Sequence, residues 1–220
     1  MHIQLDFLAV LQYWPLILTG VCWTIGLTAA SAILGFILGI AFAWSRQSGP
    51  TWLKWVVGTY VELIRNTPFI VQLFFIFFGL PAAGLRLSPG AAGVIAMVVS
   101  LSAYSTEIIR SGLAATPKGQ IEAAQSLAMG RMQTFLHVIL PPALNKVWPA
   151  MTGQIILVML GSAVCGQISV PELSYATNLI QSRNFRSFES AIIATLIYLV
   201  LAIVLRKILN WAGPRLLFRR

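Results

Sequence analysis

Charge is scarce in this chain: only 10% of its 220 residues are Asp, Glu, Lys or Arg, while 58% are hydrophobic. A water-soluble domain of this length would find that balance hard to keep in solution, so a single soluble globule is excluded. Acid is scarcer still, with 6 Asp and Glu against 15 Lys and Arg and a formal net charge of +9. The excess does not point to nucleic acid, because the basic residues gather at the ends of apolar runs rather than on one aromatic-laced face. Histidine occurs only at His2 and His137, and cysteine only at Cys22 and Cys165. These build no zinc site, no histidine-based triad and no disulfide framework. No Gly-Lys dipeptide occurs, so the Gly-rich phosphate cradle that ends in Gly-Lys-Ser or Gly-Lys-Thr must lie on another chain. The opening stretch, residues 1–6, lacks the basic n-region of a signal peptide and leads into an apolar run too long for an h-region, so it reads as a retained first span.

What is present is a series of apolar runs, each long enough to cross a hydrocarbon core of about 30 Å. The fold class expected is all-α, a polytopic membrane protein with about five transmembrane helices near residues 14–44, 55–80, 90–110, 147–169 and 189–207. Residues 111–146 form the largest polar connection, too long for an ordinary turn and helix-compatible over 121–128. No linker marks a second domain, so 1–220 reads as one unit. Arg46, Lys54, Arg110, Lys118, Arg131, Lys146, Arg206, Lys207, Arg215, Arg219 and Arg220 fall on one side of this arrangement, and Arg86, Arg183 and Arg186 on the other. The positive-inside rule then puts the N-terminus outside, and the C-terminus and the 111–146 segment in the cytoplasm.

The central segment carries Gly119-Gln120-Ile121-Glu122-Ala123-Ala124, then Ala128 and Gly130, and closes on Val138-Ile139-Leu140-Pro141. This string resembles the EAA loop of ATP-binding-cassette importer permeases. Residues 60–75 and 103–113 are similar to signatures of the polar amino-acid branch, which serves histidine, glutamine, glutamate, arginine and opines. The resemblance implies a bacterial inner-membrane permease, not itself an enzyme, that pairs with a second copy or a sister permease. It implies two ATPase subunits, which hold the ATP and Mg, and a periplasmic solute-binding protein. No cofactor is expected on this chain. In the coupling loop, Ala123 and Ala124 would pack closely in a groove of the ATPase. The family's Gly falls at Ala128, and because Ala disfavours positive φ, the turn is expected to shift to Gly130.

Inside the apolar runs, Glu62/Arg65 and Glu107/Arg110 are spaced i, i+3, so each pair is expected to neutralise itself in part and, lying in the same half of the membrane, to pair across helices. Intramembrane charges mark a substrate pathway or lock helix packing, and both readings stay open. Asn66-Thr67-Pro68 invites a break in the second span, either a substrate site or a packing kink. At such a break Arg65 would offer a fork to the α-carboxylate of an amino acid, with Gln72 one turn beyond. In the fourth span the branch often shows Lys-Asp-Thr-Ser where this chain has Leu160-Gly161-Ser162-Ala163, which implies a different selectivity. Gly35, Gly39, Gly161 and Gly166 suit close helix approach. Two other classes fit parts of the pattern: an ion-coupled carrier or channel acting alone, and a membrane scaffold that transports nothing. A cytoplasm-specific reporter fused after Arg220 is expected to be active; activity there of a periplasm-specific reporter would overturn the topology.

Overall fold

The computed structural model describes residues 5–217, with side chains to 215, so His2, Arg219 and Arg220 lie outside the described residues. Every regular element among the described residues is helical. A short α1 (Leu8–Leu11) leads into α2 (Trp14–Ser48), followed by α3 (Thr51–Arg65), α4 (Phe69–Phe74) and α5 (Leu80–Ala82). Then come α6 (Pro89–Ala114), α7 (Lys118–Ser126), α8 (Arg131–Thr134) and α9 (Leu140–Gly161), with α10 (Leu173–Asn184) and α11 (Ser187–Leu217) at the end. Local chemistry sets several of these limits. Ser88 caps α6, its Oγ accepting the Ala91 N–H at 3.3 Å, and Pro89 fills the first turn, where a missing N–H costs nothing.

The first two long helices, α2 and α6, run in the same direction. Trp23 of α2 meets Gly90 of α6, Gly35 meets Leu101, and Gly39 meets Ser105, so the contacts climb both helices together. A Cβ on Gly35 or Gly39 would lie 2.9 Å from Leu101 or 2.5 Å from Ser105, which is why small residues stand there. Two consecutive long helices packed in parallel oblige residues 49–88 to carry the chain back across the full thickness of the bundle. They do so as a broken span, α3 and Phe69–Ala82, bent by 110°. The break expected at Asn66-Thr67-Pro68 therefore divides the 55–80 span into two helices, since Pro68 can neither donate to Ile64 nor let its ring pass that carbonyl.

Helix α9 returns antiparallel to α6, with Val147 on Gly112 at one end and Ile155 and Val158 beside Ala96 and Met97 further along. In the first turn of α11 Glu189 accepts the Asp6 N–H at 3.1 Å, and far along the same helix the Leu209 carbonyl accepts the Trp148 indole N–H at 3.0 Å. Asp6 and the far end of α11 consequently lie at opposite ends of the bundle. The fourth span also begins earlier than expected. Helix runs from Arg131 to Ile168, so the connection is confined to 115–130 and Leu140-Pro141 lies inside a helix rather than closing a loop. Two π-helical segments explain how the helices carry these prolines. Phe75–Gly79 precedes Pro81 and Phe135–Ile139 precedes Pro141 and Pro142, each widening the turn whose carbonyls a proline ring would strike.

Gly39→Val should cost on the order of 1–3 kcal/mol by overpacking the α2–α6 contact. Gly26→Val, on the same helix with no atom within 4 Å of its Cβ, is the matched control. The thermal midpoint in detergent should fall for the first and hold for the second; equal midpoints would mean that the contact does not set stability.

Candidate functional site

The break at residues 66–68 is a finished structure rather than a frayed end. The amide nitrogen of buried Gln72 lies 2.7 Å from the Ile64 carbonyl and 3.0 Å from that of Thr67, while Thr67 Oγ1 donates to the Leu63 carbonyl at 2.8 Å. The carbonyl that Pro68 orphans is thus satisfied by a side chain, as a break inside a membrane span would require. Gln72 works as the stitch of the break. Glu62, Arg65, Asn66, Thr67 and Pro68 are all exposed on its outer surface.

The charges assemble differently from their sequence spacing. Among the described residues no ion pair joins Glu62 to Arg65; three residues apart on an exposed surface, neither side chain is held against the other. Glu107 does pair with Arg110, and its other oxygen accepts from Arg46 at 2.8 Å, a partner at the end of α2 that spacing alone does not reveal. The Arg65 guanidinium stands 5.6 Å above the Tyr104 ring, a cation–π contact, and adds to the positive field at Glu107. Three arginines therefore converge on one carboxylate near one end of the bundle.

Tyr104 also lines a cavity of about 280 Å³ between the middle of α6 and the C-terminal part of α9, together with Phe69, Ser100, Gln154 and Gly161. Gly161 has no atom within 4 Å of where its Cβ would lie, so it faces this space and is not a packing glycine. Ser162 is buried and donates to its own helix, at the Met159 carbonyl, 2.6 Å away. Gly166, by contrast, is a close contact, since a Cβ there would lie 2.6 Å from Glu172 Oε1. Sequence reasoning missed Glu172. Its fully buried carboxylate caps α10 by accepting from Ser174 N at 2.8 Å and Tyr175 N at 2.7 Å, and takes the Tyr198 hydroxyl at 2.7 Å. Burial pushes this carboxyl above its ordinary range against those three donors. An acidic residue just ahead of a helix start was the available signal.

At the end of the bundle holding Ser48 and Ala114, α7 projects between α6 and α8. Glu122 and Ala123 are exposed, with Gly119, Gln120 and Leu127, whereas Ala124 is buried within the chain itself at 3% exposure. Only Ala123 of the alanine pair is free for a partner, because neighbours along a helix point about 100° apart. The turn after α7 is not displaced. Ala128 itself takes φ +53°, with its N–H bonded to Gln125 O at 2.9 Å and Met129 N–H to Ala124 O at 3.1 Å, a Schellman close. Gly130 has φ −66°, open to any residue. The two backbone bonds hold Ala128 in the left-handed region despite its Cβ.

Over residues 31–218 the chain matches the family described as binding-protein-dependent transport system inner membrane component. It is 36% identical over 198 residues to the L-cystine transport system permease protein of Bacillus subtilis (strain 168), spanning 88% of this chain and 85% of that one. To the probable glutamine ABC transporter permease protein of the same organism it is 38% identical over 191 residues, spanning 86% and 88%. A chain from the crystal structure of an amino acid ABC transporter with histidines matches with a TM-score of 0.86 at 36% identity, over 97% of this chain and 100% of that one. A chain of an inward-facing methionine ABC transporter, 24% identical with a TM-score of 0.69 over 92% and 94%, shares the fold.

Ala128→Gly should relieve about 1–2 kcal/mol of left-handed strain against about 0.4–1 kcal/mol of added chain entropy in the unfolded state, a net gain of about 0.5–1 kcal/mol. Hydrogen exchange at Met129 should slow about two- to fivefold where local opening controls it. Unchanged or faster exchange would show that the turn is not held at Ala128.

Proposed function

Because the chain belongs to the family of binding-protein-dependent transport system inner membrane components, we propose that it is the permease subunit of an ATP-driven importer that passes an amino acid across the bacterial inner membrane. The observation that carries this reading is α7, a short helix between two spans with Glu122, Ala123 and Leu127 unburied and its end pinned by the Ala128 turn. Such a helix fits a groove on a partner. Two ATP-binding-cassette ATPase subunits receive this helix and its counterpart on a second permease, either another copy or a sister chain, and ATP and Mg stay on the ATPases. A periplasmic solute-binding protein delivers the substrate at the end that holds Asp6 and α10. The N-terminus is then periplasmic and the C-terminus cytoplasmic, in line with Arg46, Lys54, Lys118 and Arg131 near the α7 end.

Relatives named for L-cystine and for glutamine support the amino-acid class and disagree on the side chain. Arg65 supports the same class from the chain itself. It is exposed, has no ion-pair partner among the described residues and sits over Tyr104 at the margin of the cavity, so it can take the α-carboxylate common to all amino acids. ATP-driven closure of the ATPases pushes α7 and biases the spans between inward-open and outward-open states. A carrier or channel acting alone would leave α7 without a task.

The test places a bulky side chain on the exposed alanine. Ala123→Trp should reduce ATPase co-purification or binding-protein-stimulated ATP hydrolysis severalfold, with overpacking costing on the order of 1–3 kcal/mol at the contact. Leu85→Trp, an exposed residue at the opposite end, should leave both unchanged. Normal assembly and stimulation in Ala123→Trp would mean that α7 is an ordinary loop.

A further inference from the structure

The cavity beside Arg65 has walls that are legible chemically. Phe69, Met97, Leu157, Val158 and Val164 give it an apolar surface, and its polar groups are the Ser100 hydroxyl, the Tyr104 hydroxyl and the Gln154 amide, all neutral. No Asp, Glu, Lys or Arg among the described residues lines it. The gap at Gly161 is part of this neutrality, since a side chain there would enter the cavity directly. At the Tyr104 end the field is positive, because Arg46, Arg65 and Arg110 stand around the single carboxylate of Glu107. Glu62, the nearest other acid along the chain from Arg65, does not line the space.

These features rank the amino acids that can occupy it. An α-carboxylate placed at the Tyr104 end meets the unpaired fork of Arg65. The side chain then lies along the wall formed by α9 toward Gly161. A cationic side chain would find no carboxylate there, and Glu107 is already engaged by two arginines. An anionic one would leave a second charge against the apolar Leu157 and Val164 with no cation beside it. A large apolar or thioether side chain buries its surface on Phe69, Met97 and Val158 and brings no charge into the space.

We propose that this permease selects neutral amino acids with bulky, predominantly apolar side chains, and that Gly161 is a specificity-determining residue because it keeps the side-chain end of the cavity free of charge. This rests on the amino-acid transport reading given above. The selectivity belongs to the permease itself, in addition to whatever the binding protein imposes.

The experiment measures equilibrium binding of radiolabelled methionine, phenylalanine, arginine and glutamate to the purified permease–ATPase complex with no binding protein present. Methionine or phenylalanine is expected to bind at least tenfold more tightly than arginine or glutamate. Gly161→Asp should raise arginine affinity about tenfold and lower that of the apolar pair, while Gly161→Ala, which adds only a Cβ to open space, should keep the wild-type order. Thermal midpoints of both variants, expected to match wild type, check that the α9 end still folds. Preferred binding of arginine or glutamate by wild type would overturn the inference and leave the transport reading standing. An unchanged rank order in a folded Gly161→Asp complex would remove Gly161 from selectivity and overturn the proposal. If none of the four binds, and a binding-protein-driven assay in proteoliposomes moves no amino acid, the transport reading itself fails.

Discussion

The parallel contact between α2 and α6 is the constraint from which the rest of the architecture follows. Membrane helices gain nothing from hiding apolar surface from lipid, so their association depends on close packing and on polar contacts. Gly35 and Gly39 supply the closeness against Leu101 and Ser105, and Arg46 supplies the polar contact by reaching Glu107 where the two helices end together. With these helices aligned in parallel, the intervening chain must recross the bundle. It has a single stretch, residues 49–88, in which to do so. The bent pair of helices at residues 51–82 is the outcome, and its bend puts Arg65 over Tyr104 at the cavity margin rather than in the middle of a straight span.

Prolines are the second theme, and lipid makes each one an accounting problem. Where no water can reach, a carbonyl orphaned by proline must be satisfied by protein or carried by a widened turn. Pro68 is handled by Gln72, whose amide serves the Ile64 carbonyl. Pro81, Pro141 and Pro142 are handled by π segments just ahead of them. The first solution makes a sharp bend and the second keeps a helix running. This difference explains why one proline divides a span while a pair of them leaves the fourth span continuous from Arg131.

Much of this was legible in the sequence, and what was not has common physical causes. The long apolar runs, the break at Asn66-Thr67-Pro68 and the short helix around Glu122 are local patterns that period and turn chemistry expose. The start of the fourth span was hidden because His137 and Lys146 give its first turns a polar character, and because a proline pair ordinarily reads as a stop. Arg46 could not be matched to Glu107 from spacing, since they are 61 residues apart and only the α2–α6 register brings them together. The spacing argument paired Glu62 with Arg65 instead, a contact that an exposed surface does not enforce. Ala128 went unread as the turn residue because its conformation is decided by two backbone hydrogen bonds rather than by its own preference. Gly161 resembled its packing neighbours in sequence and differs only in what stands opposite.

The placement of the cavity relative to α7 gives the two sites a mechanical relation. Helix α7 is tethered through short connections to α6 on one side and to the Arg131 end of the fourth span on the other, and those same two helices supply the Ser100–Tyr104 and Gln154–Gly161 faces of the cavity. Near α7 they are clamped together. A Cβ on Gly112 would lie 2.7 Å from Val147 and 2.8 Å from the Ala143 carbonyl, so they cannot slide independently at that level. At that level α6 and α9 form one packed unit beside α2. The π segment Phe135–Ile139 lies between α7 and this contact, with a wider turn than the α-helix that follows it. A partner docked on α7, as proposed above, would act by flexing this segment and by tilting the clamped pair. Because packed interfaces switch between discrete arrangements rather than deform continuously, the α2–α6 glycine contact and the Arg46–Glu107 pair at its end form the contact that such tilting would have to rearrange.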